Sequence, residues 1–411
     1  MTAGPQARRI VLGVGGGIAA YKVADLLRRL TESGHDVRVV PTAAALQFVG
    51  APTWAALSGH PVASDVFADV HDVPHVRLGQ QADLVLVAPA TADLLAKAAT
   101  GQADDLLTAT LLTARCPVVL APAMHTEMWE HPATRANVAT LRSRGVLVVE
   151  PAVGRLTGAD SGAGRLPEPA ELAALAERVL TRGGSGAADL LGRRVLVSAG
   201  GTREPIDPVR FLGNASSGRQ GWALAATAAA RGAEVVLVAA NVTLPEPAGV
   251  KVVTVGTALE LQDAVSAAAV DVDAVVMAAA VADFRPAAAA AYKIKKSDDP
   301  DQVPEPLVLQ RNPDVLREIV ATRRPGQVIV GFAAETGDDH ATVLEHGRAK
   351  LARKGVDLLV VNPVGSGLAF GTADNEAVVL GADGAEVPIA RGPKDVLADA
   401  VWDLVVARLT H

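Results

Sequence analysis

Short apolar runs bounded by glycine, proline and small polar residues recur along this chain. Most are followed by a longer segment in which apolar positions return every three or four residues. In the first half, Ile10–Val14, Asp36–Val40, Ala82–Pro89, Pro117–Ala121 and Gly145–Glu150 carry the pattern of buried strands, and Ile18–Ser33 and Pro169–Arg182 that of helices. In the second half, Val195–Ser198, Glu234–Ala239, Val250–Val255 and Ala274–Ala278 predict strands, and the Ala-rich segment after Gly218 predicts a helix. Strands alternating with helices predict two α/β domains, a flavodoxin-like doubly wound parallel sheet and then a Rossmann-like one. The stretch Gly183-Gly184-Ser185-Gly186 has no apolar periodicity and reads as flexible. It sets domains of residues 1–182 and 190–411, joined by a linker over 183–189 with the boundary near Ala187.

Ligands of such sheets bind beyond the carboxyl ends of the strands. Gly15-Gly16-Gly17, Thr42, Ala90–Asp93 and Pro122–Met128 all fall there, so four strand ends converge on one crevice. The first loop lacks the Gly-x-Gly-x-x-Gly order, and Thr42 stands where an acidic residue would hold a ribose diol. Glycines and hydroxyls suit a mononucleotide phosphate better, and FMN is the natural candidate. In the second half the run Val195–Ser198 reaches a turn of Gly200, Gly201 and Thr202. A polar excursion and a second small-residue turn, Asn214–Gly218, follow before the helix. Backbone N–H groups there can approach phosphate or carboxylate closely. An ordinary strand–turn–helix explains the glycines equally well, but the Asn, two Ser and Arg of Asn214–Arg219 exceed what packing requires.

Composition narrows the function. Half of the 411 residues are apolar and only 3% aromatic, so the cores are built from many small contacts. A net charge of -7 argues against a general nucleic-acid binder. One cysteine, Cys116, excludes an intramolecular disulfide framework and fits a reducing compartment. No apolar run approaches the ~20 residues of a membrane span. Arg8-Arg9 before Ile10–Ala20 imitates a twin-arginine signal, yet the glycines and the continuation into Tyr21-Lys22 mark a strand and phosphate loop. The expected location is the cytoplasm.

The residues then become recognisable. GGGIAAYK (Gly15–Lys22), APATAD (Ala88–Asp93), GQADDLL (Gly101–Leu107) and PAMHTEMW (Pro122–Trp129) resemble the flavin-containing cysteine decarboxylases. GGTREPIDPVRFLGNASSGRQG (Gly200–Gly221), AAAVADFRP (Ala278–Pro286), KIKK (Lys293–Lys296) and GFAAET (Gly331–Thr336) resemble phosphopantothenate–cysteine ligase. Their order is that of the bifunctional bacterial coenzyme A enzymes. The resemblance implies CTP-dependent ligation of cysteine to 4′-phosphopantothenate through an acyl-cytidylate, with Mg²⁺. FMN-dependent decarboxylation of 4′-phosphopantothenoylcysteine to 4′-phosphopantetheine follows. A carboxylate without an adjacent electron sink loses CO₂ only after the thiol carbon is oxidised, and a flavin can take that hydride and return it.

Site residues follow from the same resemblance. The FMN site falls on Gly15, Gly16, Gly17, Thr42, Ala88, Pro89 and Thr91, and the base near the thiol on His75, although a His before a strand is, from the sequence alone, more often a surface or capping residue. CTP contacts fall on Met277, Ala278, Ala279, Asp283, Lys293, Pro313, Asp314, Val315, Leu316, Phe332, Lys350 and Lys354, and the acyl-transfer amide on Asn214. Without the family, Asp283 reads as a capping residue, the lysines 293–296 as a solvated face, and Asp104-Asp105 as a pair at a helix start. Lys350 and Lys354, four apart on an expected helix, project from one face. Metal ligands are not legible. Family decarboxylase domains form trimers that build dodecamers with flavin sites at subunit contacts, and ligase domains dimerise, so a homo-oligomer is expected.

Two positions depart from the family. His125 replaces the Asn of its PxMN block, and Gly158 replaces the cysteine proton donor of its substrate flap, here Gly154–Leu166. Cys116, just before Pro117 at the start of a strand, lies at the wrong end of the sheet to substitute. A coupling is expected in which His125 takes the lost acid role, against a bound water, Thr157 or an inactive domain. The alternatives for the whole chain are a non-catalytic flavodoxin-like regulator and a pyridine-nucleotide oxidoreductase.

Overall fold

The computed structural model describes residues 7–62, 73–155, 161–182, 188–295, 306–335, 342–363 and 374–409. Thr157, Gly158, Gly183–Ala187, Lys296 and Thr336 lie outside the described residues. The chain divides into two compact units, Met1–Asp189 with Ala230–Gly232, and Leu190–Ala229 with Ala233–His411.

The first unit runs β1 (Arg9–Val14), α1 (Ala20–Glu32), β2 (Asp36–Pro41), α2 (Ala51–Ser58), α3 (Pro74–Gln81), β3 (Leu84–Ala90), α4 (Ala92–Thr100), α5 (Leu106–Thr113) and β4 (Val118–Pro122). It continues through α6 (Thr126–Glu130), α7 (Pro132–Ser143), β5 (Leu147–Val148), a hairpin of β6 (Ala152–Arg155) and β7 (Ser161–Arg165), and α8 (Pro169–Arg182). The sheet order is β2-β1-β3-β4-β5 with every pair parallel, the flavodoxin-like order. Its strands are apolar without alternation because both faces are covered. Ile10, Leu12, Leu84 and Leu86 pack with α1 and α8, while Val11, Val85 and Val87 pack with α4, α5 and α7.

Two elements differ from the sequence pattern. The first helix begins at Ala20, after a loop over Gly15–Ala19 that a run of apolar and glycine residues conceals. Of the run Gly145–Glu150 only Leu147–Val148 pairs as strand. Arg142 takes the Val148 carbonyl and the Glu150 carboxylate, each at 2.7 Å, and these contacts draw off the end of the run.

The second unit runs β8 (Arg194–Gly200), β9 (Arg203–Asp207), β10 (Arg210–Gly213), α9 (Arg219–Ala230), β11 (Glu234–Ala240), β12 (Val250–Val255), α10 (Ala258–Ala269) and β13 (Ala274–Met277). After β14 (Phe284–Pro286) and β15 (Leu309–Arg311) come α11 (Val315–Thr322), β16 (Val328–Glu335), α12 (Val343–Lys354), β17 (Leu358–Pro363), β18 (Asp374–Gly381), β19 (Glu386–Pro393) and α13 (Lys394–Leu409). The large sheet is ordered β12-β11-β8-β13-β16-β17-β18-β19. Its first six strands are parallel and, in chain order, read 3-2-1-4-5-6, the Rossmann arrangement. The last two extend it as antiparallel strands. Helices α9 and α13 cover one face, where the fully buried Trp402 donates its indole N–H to the Leu224 carbonyl at 2.9 Å. Helices α10 and α11 cover the other face.

The polar excursion after Thr202 is an antiparallel ribbon, β9 with β10, rather than a loop. Its two buried positions in β9 are the carboxylates Glu204 and Asp207, three residues apart, so no apolar alternation marks it as a strand. Glu204, 1% exposed, accepts from the Ala258 N–H at the start of α10.

Candidate active sites

In the first unit the carboxyl ends of β1 to β4 open on a cavity of ≈ 1030 Å³. Gly16, Gly17, Thr42, Pro89, Thr91 and His125 line it. Gly15 and Ala88 lie behind its wall. The Gly15 N–H donates to the Pro89 carbonyl, and a Cβ on Gly15 would come within 2.4 Å of that oxygen. A Cβ on Gly16 would meet that of Ala44 at 2.3 Å, whereas around Gly17 nothing lies closer than 3.9 Å. The first two glycines therefore close the loop, and the third keeps the wall thin. Thr42 accepts from Ala45 N–H and Thr91 caps α4 by accepting from Leu94 N–H, which leaves both hydroxyl protons to donate to a ligand.

Three of the cations on this wall come with carboxylates. Lys22 and Arg165 both pair with Glu168, at 2.9 and 3.1 Å, and Lys97 pairs with Asp104 at 2.9 Å and Asp93 at 3.3 Å. The bond from Asp104 raises the Lys97 pKa, and Lys97 in turn lowers that of Asp104. Asp105 forms a capping box with Thr108 at the start of α5. The acidic pair thus holds a lysine and a helix end.

His125 is the N-cap residue of α6 and reaches the cavity beside the β6–β7 hairpin, which contributes Arg155, Gly164 and Arg165. The Met124 N–H donates to the Gly164 carbonyl at 2.9 Å, and Gly162 packs on Thr126, so the hairpin matching the family flap is seated on the His125 loop. His75 sits in the first turn of α3, not directly before a strand as its sequence context suggested, and is not on this cavity's wall. Thr113 of α5 fastens that turn by donating to the His75 carbonyl at 2.7 Å. The ring Nδ1 of His75 is buried without a hydrogen-bond partner.

In the second unit a smaller pocket of ≈ 150 Å³ opens where α9 begins and β13, β16 and β17 end. Ala278, Ala279 and Phe332 line it with Ser216–Gly221. Met277, 6% exposed, is core beneath it, and Val315 is likewise buried in the core. A second group lies off this wall. Asn312 N–H donates to the Asp283 carbonyl, the neighbouring Pro313 leads into α11, and Asp314 caps that helix and pairs with Lys354. Burial opposes the charge on Asp314, but the Lys354 ammonium and the Arg317 N–H hold its pKa below the usual range. Leu316 lies in the first turn of α11 and Lys350 one turn before Lys354 on α12. Asn214 donates its amide N–H to the Val281 carbonyl at 3.1 Å, which sets it beside the segment leading to Asp283. Lys293 is exposed on a stretch without regular structure.

Comparison with known proteins gives this geometry a family. Residues 190–409 match the model of the DNA/pantothenate metabolism flavoprotein C-terminal domain, and residues 4–180 match the Flavoprotein model. The coenzyme A biosynthesis bifunctional protein CoaBC of Mycobacterium tuberculosis is 60% identical over 98% of this chain and 97% of its own. That of Vibrio vulnificus is 42% identical over 98% of both chains.

The chain belongs to the bifunctional coenzyme A biosynthesis family. It is a two-domain enzyme, a flavoprotein decarboxylase followed by a ligase. A solved C-terminal domain of such a protein aligns with 54% of this chain and 98% of its own, at 31% identity and a TM-score of 0.45. No helix among the described residues is long and apolar enough to cross a membrane.

Several polar residues of the family fold escaped the sequence reading. Asn362, Asn375 and Lys394 line the ligase pocket, each less than a tenth exposed. Asn362 had a legible signal, a polar residue ending the apolar run of β17, whereas nothing in the surroundings of Lys394 marks it. Asp207 was also missed. It accepts from the N–H groups of Val209, Arg210 and Ile294 and from the Arg210 guanidinium, whose Nε lies at 2.9 Å. Arg210 also donates to the Ile294 carbonyl at 2.9 Å. The ribbon is thereby tied to the stretch that carries Lys293.

The Arg210 guanidinium, aided by backbone N–H groups and opposed by burial, holds the Asp207 carboxyl far below the usual carboxylate range. A carboxyl with a depressed folded-state pKa stabilises fully above its unfolded value of about 3.9, and that contribution is lost as pH falls through the folded value. Asp207→Asn is therefore expected to lower the unfolding midpoint of the ligase domain at pH 7, with the gap from the parent closing in strong acid. Midpoints measured from pH 7 downward check this; a gap independent of pH would show that the charge is not the cause.

Proposed function

We propose that the ligase site joins cysteine to 4′-phosphopantothenate with CTP and Mg²⁺, and that the decarboxylase site, loaded with FMN, converts the product to 4′-phosphopantetheine. In the ligase step a carboxylate oxygen attacks the α-phosphorus of CTP and pyrophosphate leaves. The cysteine amine then attacks the acyl carbon and CMP leaves. Placement of Asn214 against the Val281 carbonyl, beside the anion-facing first turn of α9, supports its role as the amide that holds the acyl oxygen in the second half-reaction. Ala278, Ala279 and Phe332 line the nucleotide pocket, Asp283 orients the base, Pro313–Leu316 make further nucleotide contacts, and Lys350 and Lys354 offer two charges on one helix face to the triphosphate. Lys293 neutralises the triphosphate during activation.

The reading of the first site rests on one observation. Gly16, Gly17, Thr42 and Thr91 meet His125 and the β6–β7 hairpin on a single cavity wall. Its size lies at the upper end of small-molecule sites, about 300–1000 Å³. Backbone N–H groups of the glycine loop and the two threonine hydroxyls would hold the FMN phosphate, with Ala88 and Pro89 completing the wall. When bound, the flavin supplies a reversible hydride acceptor for the thiol-bearing carbon. His75 takes the thiol proton. Because it does not line its own chain's cavity, we read it as serving a neighbouring copy in a homo-oligomer, a dodecamer with paired ligase domains in the cytoplasm.

The whole reading is tested by incubating the protein with 4′-phosphopantothenate, cysteine, CTP and Mg²⁺ and identifying products by mass. The parent is expected to yield 4′-phosphopantetheine. Asn214→Asp is expected to accumulate acyl-cytidylate with transfer slowed about 10²–10³-fold, as for a lost oxyanion donor. Lys293→Gln is expected to slow pyrophosphate release instead; equal slowing of that release in both variants refutes the division of labour. A monomeric mass in solution at micromolar concentration would overturn the shared-site assembly.

His125 is assigned the proton that the flap cysteine gives in the family, delivered to the carbon left by CO₂. The seating of the hairpin on the His125 loop supports the coupling of the two departures. His125→Asn is expected to stay yellow and to reduce its flavin with substrate. Turnover should fall about 10²-fold or more, the usual worth of a positioned acid, with an oxidised decarboxylated product accumulating. Adding Gly158→Cys should restore part of the rate. Parental output of 4′-phosphopantetheine from His125→Asn would transfer the role to water or Thr157.

A further inference from the structure

The helix that carries His75 is poorly held by its own sequence. α3 has eight residues, with Pro74 in its first turn and Gly79 in its interior. Val73, its N-cap residue, makes no side-chain cap and stands at φ 43, a left-handed conformation that a β-branched residue keeps only when its surroundings impose it. A base is ordinarily oriented by a third group bonded to its other ring nitrogen. Nδ1 of His75 is buried without such a partner, so the ring is placed by its backbone and its packing.

That backbone is fixed from α5. The Thr113 hydroxyl donates to the His75 carbonyl at 2.7 Å, while the carbonyls of Thr110 and Ala109 in its own helix lie farther off, at 3.1 and 3.3 Å. A hydroxyl has one proton to give, and the shortest contact is the one across to α3. Gly79 permits the approach. A Cβ there would collide with the Thr113 hydroxyl and come within 2.8 Å of the Thr113 carbonyl carbon. The Arg115 N–H adds a bond to the Gly79 carbonyl at 3.3 Å. α5 is itself anchored, by the capping box of Asp105 and Thr108 and by the buried Leu106 and Leu107. Asp105 also lines the cavity of the first unit. Rising ~1.5 Å per residue, the helix carries that anchorage about 12 Å to Thr113.

We propose that Thr113 is the positioning residue of the decarboxylase base: it sets the first turn of α3, and with it the place at which His75 meets the substrate thiol. A base offered to a neighbouring copy gains no alignment from its own cavity wall, so the alignment is built into the chain that carries it. This rests on the base reading of His75 and adds to it the group that aligns the base. The thiol proton passes to the imidazole, the thiolate stays on the substrate, and Thr113 exchanges no proton.

Full-length, FMN-loaded parent, Thr113→Val, Thr113→Ser and His75→Asn are mixed rapidly with 4′-phosphopantothenoylcysteine, and flavin reduction is followed from about pH 6.5 to about 9.5, across the ~8.5 of a free thiol. Thr113→Val is expected to keep its flavin and its half-saturating substrate concentration. Its reduction rate at neutral pH should fall about ten- to a hundredfold, as for a reacting group misplaced by about 1 Å. Thr113→Ser should recover most of that rate. The deficits of Thr113→Val and His75→Asn should shrink together as pH rises through the thiol value, because solvent then removes the proton. If Thr113→Val loses its flavin, Thr113→Ala is read in its place by the same criteria. A parental rate from the hydroxyl-free variant beside a slow His75→Asn overturns the proposal and leaves the base reading standing. A deficit that is equal at every pH, or that serine does not relieve, also overturns it and makes Thr113 a packing residue. His75→Asn at the parental rate, or slow by one factor at every pH, overturns the base reading itself.

Discussion

Close approach of backbone to backbone at the end of the first strand is the constraint on which both sites depend. In the second unit Gly200 takes φ +86, and a Cβ there would lie 2.0 Å from the Ala240 carbonyl oxygen. That contact lets the Gly201 N–H reach the same carbonyl. Asn241, itself at φ 52, then donates its amide to the carbonyls of Gly201 and Gly256. Ser198 and Thr202 accept from the N–H groups of Ala279 and Ala282. Four strand ends, those of β8, β11, β12 and β13, are locked by bonds they make to one another. Few of the buried polar groups of this loop cluster wait for a ligand, so the first turn of α9 is left to face the pocket. In the first unit Gly15 against Pro89 does the same work, and Gly16 and Gly17 are left at the cavity.

This locking explains which parts of the molecule were legible in the sequence. A parallel sheet covered on both faces needs unbroken apolar runs, so β1, β3, β8, β11 and β13 announce themselves, and small residues after them mark the crevice. The ribbon β9–β10 does not, because Glu204 and Asp207 fill buried positions that a hydrophobic pattern assigns to solvent. The family resemblance named His75 and Lys293, but only the fold puts His75 on α3 and off its own cavity. Lys394 and Asn375 are polar residues separated in sequence from every glycine turn. They reach the pocket because two antiparallel strands return the chain to it before α13, a route no local pattern carries.

The two cavities also differ in how charged side chains are set around them. Around the flavodoxin-like cavity, Lys22, Lys97 and Arg165 each meet a carboxylate, and backbone and hydroxyl donors stand beside them. Such donors are fixed in direction and select a phosphate by shape, which suits a cofactor that stays bound. The ligase pocket sets Lys394 and Arg219 beside a helix N-terminus, where burial and the Arg219 charge oppose the Lys394 ammonium and Asp374 favours it.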